Sequence, residues 1–128
     1  MTFYIVAVGS NIEPEKNIPQ AFERLKSIAS QLKMASLLQT KPVGYSNQAD
    51  FINTAFSFHC ALSPTALKQA LRSIEAKLGR IRTENKNGPR TIDLDIVRVD
   101  NTIVDSDYHH YYFVKQSVDE LVRHNEKQ

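Results

Sequence analysis

The stretch from Gly88 to Ile96, GPRTIDLDI, sets two acids two residues apart inside a run of apolar and β-branched side chains. Carried on to Val99 it reads as a β-strand, Thr91–Val99, in which successive side chains point to opposite faces. Ile92, Leu94 and Ile96 then share one face, assigned to the core. Asp93 and Asp95 share the other, roughly 7 Å apart along the strand. A strand greasy on one face and acidic on the other belongs to a sheet with helices packed against one side.

The neighbouring segments say which sheet. Upstream, Ser63-Pro64 combines a capping hydroxyl with proline at the first helical position, and Leu62 and Leu67 stand at staple spacing. The stripe Leu67, Leu71, Ile74 and Leu78 carries that helix to Gly79, which is placed to end it. Before it, Phe51–Cys60 (FINTAFSFHC) alternates, with Ile52, Phe56, Phe58 and Cys60 on one face and Phe51, Asn53, Ala55 and Ser57 on the other.

Thr40–Asp50 is rich in turn residues and reads as a loop, with Ala35–Gln39 as a strand before it. Helical spacing predicts a helix from Ile18 through Phe22, Leu25 and Ile28 or Ala29 to Leu32, with Pro19 in its first turn. Phe3–Val8 is a short buried strand ended by Gly9-Ser10-Asn11. Downstream, Asp100-Asn101 predicts a hairpin into Thr102–Val104, and Ser117-x-x-Glu120 predicts a capping box before a short helix with Val118, Leu121 and Val122. The order β-α-β-β-α-β, followed by a hairpin strand and a helix, predicts an α+β, ferredoxin-like antiparallel sheet with helices packed on one face.

The chain has 128 residues, 41% of them hydrophobic and 23% charged, and fits a single domain over 1–128. Its net charge of +2 creates no global field that demands a polyanion. A lone Cys60 excludes an internal disulfide. The first eleven residues, MTFYIVAVGSN, show no basic run before their short apolar stretch, and no apolar run reaches membrane-spanning length. A cytoplasmic protein without membrane or nucleic-acid partners, monomeric or weakly dimeric, is the expectation.

Local charge is more informative than the total. Arg80, Arg82, Lys86 and Arg90 face one acid, Glu84, and the two aspartates follow at once. Each feature alone has an ordinary explanation: acids on a half-exposed strand are usually solvated or paired with Arg90 or Arg98, and basic residues suit a helix C-terminus. Together they point further. Two close carboxylates repel unless positive charge lies between them, and hard oxygen donors suit Mg²⁺ shared with phosphate. Forked guanidinium donors grip phosphate oxygens. That is equipment for phosphoryl transfer, where catalysis is mostly positioning and charge neutralisation. No glycine-rich phosphate cradle of the Walker or dinucleotide type occurs in the sequence.

Four motifs in order, Gly9-Ser10-Asn11, the N-Q-x-D-F-x-N segment Asn47–Asn53, R-x-R at Arg80 and Arg82, and GPRTIDLDI, resemble the 6-hydroxymethyl-7,8-dihydropterin pyrophosphokinase family. The resemblance covers the chain from about Tyr4 to about Val99. It implies transfer of a diphosphate from ATP to a pterin alcohol in folate biosynthesis, on the same β-α-β-β-α-β core. It implies that Asp93 and Asp95 hold two Mg²⁺ ions, and that Arg80, Arg82 and Arg90 contact the triphosphate. Arg72, Glu75, Ile96 and His110 fall at nucleotide-site positions; Arg72 stands where glutamine is frequent, and Ile96 matches an apolar contact to adenine. Thr40, Val43, Phe51 and Asn53, with Phe113 as a second stacking aromatic, fall at pterin positions.

The chain also departs from the family pattern. Asn87 stands where an aromatic often precedes Gly-Pro-Arg, and no arginine comes shortly before Phe113 in DYHHYYFVKQSVDEL (107–121). The family histidine matches His109 or His110. The residues therefore leave open a catalytically weakened homologue that binds pterin or nucleotide. A small RNA-binding module is a third reading, from the basic stretch and the split sheet. Against it stand the acids beside that stretch and the lack of an RNP-like aromatic motif.

Overall fold

A computed structural model describes residues 1–42, 44, 47–80 and 89–126. Among these the chain forms β1 (Thr2–Ser10), α1 (Pro14–Leu25), β2 (Ala29–Met34), β3 (Leu38–Thr40), β4 (Phe51–Cys60), α2 (Pro64–Lys77), β5 (Asp93–Val99), β6 (Thr102–Ile103), α3 (Asp107–His110) and α4 (Tyr112–Glu126). All six strands join one sheet in the order β2-β4-β1-β5-β6, with β3 also on β4 and every pairing antiparallel. The expected α+β sheet is present.

Two cores lie on its two faces. On one face, Tyr4, Val6, Phe56, Phe58 and Leu94 meet Ile18, Ala21 and Leu25 of α1 and Leu67, Leu71 and Ile74 of α2. On the other, Ile5, Ala55 and Val97 meet Val118 and Leu121 of α4. Thus α1 and α2 share a face as expected, and the C-terminal helix covers the reverse. Its stripe covers only part of the sheet, and the rest of that face carries the polar residues of β4 and β5. No described helix is long and apolar enough to cross a membrane.

Local signals explain most boundaries. Ser63 caps α2, its side chain accepting the Ala66 N–H at 3.2 Å, and Gly79 takes φ 90 just beyond the helix. Asp100 takes φ 48 in the tight turn between β5 and β6.

Three expectations are corrected. First, α1 begins at Pro14, so Pro19 lies inside it, and it stops at Leu25. Ile28, Ala29 and Leu32 still pack on the helix-side core, but as a turn and an edge strand that pairs with Cys60 to Phe56 of β4. Edge pairing overrides the local helical spacing. Second, the strand expected over Ala35–Gln39 is split: β2 ends at Met34, β3 begins at Leu38, and both lie along β4. Third, Ser117 is no cap. It is buried inside α4, and the Glu120 carboxylate accepts the Ser36 N–H at 3.0 Å.

Candidate active site

The site begins at the edge of the sheet. β6 pairs only with Arg98 and Val99, so further back β5 has β1 on one side and, among the described residues, no strand on the other. An unpaired strand edge exposes its amides and carbonyls. Here α2 supplies the missing partners. The Leu94 N–H donates to Glu75 Oε2 at 2.8 Å, and Arg72 Nη1 donates to the Leu94 carbonyl at 3.0 Å. Arg80, just past the helix, reaches the Ile92 carbonyl at 3.4 Å. Helix side chains thus complete the strand and fix the register of α2 against the two aspartates.

The same side chains carry the charge. Glu75, buried, receives Arg72 at 2.5 Å and Arg80 at 2.9 Å. Arg80 also binds Asp93 at 2.6 Å, Arg90 approaches Asp93 at 3.4 Å, and Arg72 binds Asp95 at 2.9 Å. Among the described residues, three guanidinium groups therefore face three carboxylates. Burial, then the Asp93 charge and a hydrogen bond shared with Asp93, push the Asp95 carboxyl up to about 6 against the pull of Arg72.

Across the sheet from Asp93 lies the second half. Gly9 pairs with Asn53 on β4 and with Asp93 on β5, so Asn53, Gly9 and Asp93 form one row; Ala55, Ala7 and Asp95 form the next. Paired residues share a face, so both rows lie on the face that α4 partly covers. A Cβ built on Gly9 would sit 3.0 Å from Asn53 Oδ1 and 3.8 Å from the Phe51 ring. Glycine and alanines leave a low floor between amide and acids. At one end of that floor Asn53 Nδ2 donates to Thr40 Oγ1 at 2.5 Å.

The end of β1 organises Arg90. Asn11 Oδ1 accepts the Arg90 N–H at 2.8 Å, and the Asn11 N–H donates to the Arg90 carbonyl at 3.1 Å. Ser10 Oγ donates to the Thr91 carbonyl at 2.6 Å. Asn11 Nδ2 donates to Gln48 and to the Ala49 carbonyl, tying in the segment before β4. So held, Arg90 sets its guanidinium 5.9 Å from the centre of the Phe51 ring while it approaches Asp93. It touches both halves of the site.

The remaining residues named from the sequence fall around this centre. Ile96 projects to the helix side, where it lines a groove of about 550 Å³ with Pro64, Thr65, Lys68, Val99 and Val104 at the β5 edge. His110 is exposed at the end of α3. Its charge and that of Arg90 oppose the rise of the Asp107 carboxyl, which burial, Asp105 and Asp93 hold above the usual range. Phe113, in the first turn of α4, stacks on Tyr111 with ring centres 5.4 Å apart. Arg82, Val43 and Asn87 lie outside the described residues.

Sequence reasoning missed three contributors. From the residues alone Gly9, Ser10 and Asn11 read only as the end of the first strand, although β1 runs on to Ser10 and all three shape the site. Their signal was the Gly-Ser-Asn motif itself, whose side-chain partners lie about eighty residues away in sequence.

The site thus sets a carboxylate pair ringed by guanidinium groups on an antiparallel α+β sheet, beside an amide and an aromatic ring. The family follows from comparison: over residues 5–123 the chain matches 7,8-dihydro-6-hydroxymethylpterin-pyrophosphokinase (HPPK), and it belongs to that family. Among the proteins it is similar to are several called 2-amino-4-hydroxy-6-hydroxymethyldihydropteridine pyrophosphokinase. The Bacillus subtilis one is 42% identical over 95 residues, 72% of this chain and 56% of that protein. The Pseudomonas putida one is 36% identical over 102 residues, 78% of this chain and 84% of the relative. The Haemophilus influenzae one is 32% identical over 110 residues, 84% and 68% respectively. The chain thus spans little more than half the length of the Bacillus relative.

Proposed function

We propose that this chain transfers the terminal diphosphate of ATP to the hydroxymethyl oxygen of 6-hydroxymethyl-7,8-dihydropterin and releases AMP. The observation that carries the reading is the pair of rows Asn53–Gly9–Asp93 and Ala55–Ala7–Asp95 in a member of the pterin pyrophosphokinase family. One end of this floor offers an amide and an aromatic ring to a flat heterocycle; the other offers carboxylates and guanidinium groups to a triphosphate.

The pterin lies against Phe51, with Asn53 and Thr40 reading its amide edge and Phe113 closing over it. Val43, outside the described residues, is a further proposed pterin contact. The adenine sits at the Ile96 groove, with His110 near the nucleotide. The donor set fits magnesium: two carboxylates on one strand face, with Asp95 pushed up by burial and by its neighbour's charge. Asp93 and Asp95 would hold two Mg²⁺ ions, which neutralise phosphate charge when bound there.

Arg80 and Arg90, the guanidinium partners of Asp93, offer their donors to the phosphate oxygens, and Arg82, outside the described residues, is a further proposed triphosphate contact. The hydroxymethyl oxygen attacks the β-phosphorus, and the bond from that phosphorus to the α,β-bridging oxygen breaks. AMP leaves with the bridging oxygen, and the hydroxyl proton passes to solvent. The chain's contribution is to align the two substrates and spread the moving negative charge over guanidinium groups.

The test is AMP formation from ATP, Mg²⁺ and the dihydropterin. AMP dependent on all three supports transfer. Tight binding of pterin or nucleotide with no AMP would instead favour a homologue that has kept the site and lost the step, a reading prompted by the missing arginine before Phe113.

A further inference from the structure

Phe113 packs into neither of the two cores. Among the described residues its partly buried ring meets two others: Tyr111, stacked at 5.4 Å with planes 12° apart, and exposed Tyr112, at 5.5 Å and 75°. Residues two apart on one helix do not face each other. Tyr111 and Phe113 stack because Tyr111 breaks the helix, standing between α3 and α4 with an extended backbone at φ −122 and ψ 115. Its carbonyl accepts the Val114 N–H at 3.0 Å and the Lys115 N–H at 3.2 Å, as the residue ahead of a helix does. Its own N–H donates to the Asp107 carbonyl at 3.0 Å. The two helices it joins are fastened as well: the Tyr108 hydroxyl donates to Asp119 Oδ1 at 2.6 Å, and Lys115 donates to Asp119 Oδ2 at 2.7 Å. Tyr111 is thus held from both sides, with its ring over one face of Phe113.

We propose that Tyr111 is a positioning residue for the pterin: it backs Phe113, so that the heterocycle completes a stack of Phe51, pterin, Phe113 and Tyr111. The inference rests on the reading of Phe113 as the second pterin aromatic. Tyr111 covers one face of that ring and leaves the other to the ligand. A ring outside the cores would otherwise lose its rotamer freedom only when the ligand stacks on it, and binding would bear that cost. A ring already stacked has lost that freedom beforehand, and the aromatic pair gains beyond its buried area. Tyr111 acts through Phe113 and does not touch the substrate. The ring, not the hydroxyl, is the working part.

The experiment is calorimetric titration of the full chain with 6-hydroxymethyl-7,8-dihydropterin, after saturation with Mg²⁺ and a non-hydrolysable ATP analogue. Tyr111→Ala should weaken pterin binding about fivefold, equivalent to about 1 kcal/mol, and leave the affinity for the ATP analogue unchanged. Tyr111→Phe, which keeps the ring, should bind like wild type. Phe113→Ala should weaken pterin binding by more, and adding Tyr111→Ala to it should cost nothing further. Thermal unfolding checks that each variant is folded. Should Tyr111→Ala not fold, Tyr111→Leu, with apolar bulk and no ring, takes its place. Wild-type pterin affinity in the folded variant, an equal loss for the ATP analogue, or a further loss in the Phe113→Ala background would overturn the role of Tyr111 while leaving the proposed reaction standing. Unchanged pterin affinity in Phe113→Ala would bring down the reading of Phe113 and this inference together. No pterin binding by wild type would bring down the proposed function as well.

Discussion

Asn53 and Asp93 stand in one row of the sheet, each paired with Gly9 from opposite sides. Two interstrand spacings, about 10 Å, separate their backbones. That is a span on which a bicyclic ring and its reacting arm can lie flat. Since Gly9 has no side chain, nothing rises from the row between the amide and the acid. The geometry joins an element that recognises a heterocycle to one that handles phosphate, and it ties both to β1, the central strand.

Gly9→Ala tests that floor. The new methyl would meet Asn53 Oδ1 at 3.0 Å, so Asn53 must shift, at the expense of its bond to Thr40. Loss of one well-made hydrogen bond costs about 1 kcal/mol, several-fold to tenfold in affinity. Calorimetric titration should show pterin binding weakened by that factor, with binding of the ATP analogue nearly unchanged. Equal losses for both ligands would mean that the floor does not separate them.

Asp93→Asn keeps the shape of the side chain and removes its charge. Arg80 keeps Glu75 as a partner, at 2.9 Å, so the fold should hold. AMP formation should fall by about 10²- to 10³-fold, the scale on which a single preorganised electrostatic group acts. A variant with wild-type turnover would remove Asp93 from the chemistry.

Where local chemistry dictates structure, the sequence was legible. The strict alternation from Phe51 to Cys60 marks both ends of β4, and Ser63-Pro64 marks the start of α2. Asp93 and Asp95 are legible for the same reason: a period of two leaves them no choice of face. What was not legible depends on partners distant in sequence. Ile28, Ala29 and Leu32 continue the α1 spacing, and only the open edge of β4 turns Ala29 and Leu32 into a strand. Glu75 reads as a helix residue with a charge, yet it serves as a neighbour to β5 at Leu94. Nor does Ser117-x-x-Glu120 reveal that Glu120 bonds Ser36, eighty-four residues away.

The role of Glu75 predicts a cost in stability. Its carboxylate is 2% exposed and holds Arg72, Arg80 and the Leu94 N–H together. Glu75→Ala leaves two guanidinium groups and a strand amide without that partner. Breaking a buried ion pair from one side costs about 3–5 kcal/mol. For a domain of this size that lowers the melting temperature by roughly 10 °C or more, measured by calorimetry. Glu75→Gln, which retains an oxygen for Leu94, should lose less. An unchanged melting temperature in Glu75→Ala would show that α2 does not hold the β5 edge through this residue.

Asp95 makes the site sensitive to pH in a defined direction. Burial and the Asp93 charge push its carboxyl up to about 6, above the roughly 3.9 of an unfolded aspartate. A group raised in the folded state contributes stability that is complete below the unfolded value and is lost as pH rises through the folded one. The ligand-free protein should therefore lose stability between about pH 4 and pH 6. The loss is moderated because the side chain keeps 36% of its surface exposed. Cation binding runs the other way, since a cation requires the ionised carboxylate. Mg²⁺-dependent binding of the ATP analogue should tighten as pH rises through about 6 and level off above it. Below pH 6 it should release a proton, seen as a dependence of the binding heat on the buffer's ionisation enthalpy. Asp95→Asn should flatten this part of the profile. If that variant keeps the wild-type pH dependence, the titrating group lies elsewhere, and Asp95 is no partner to the metal.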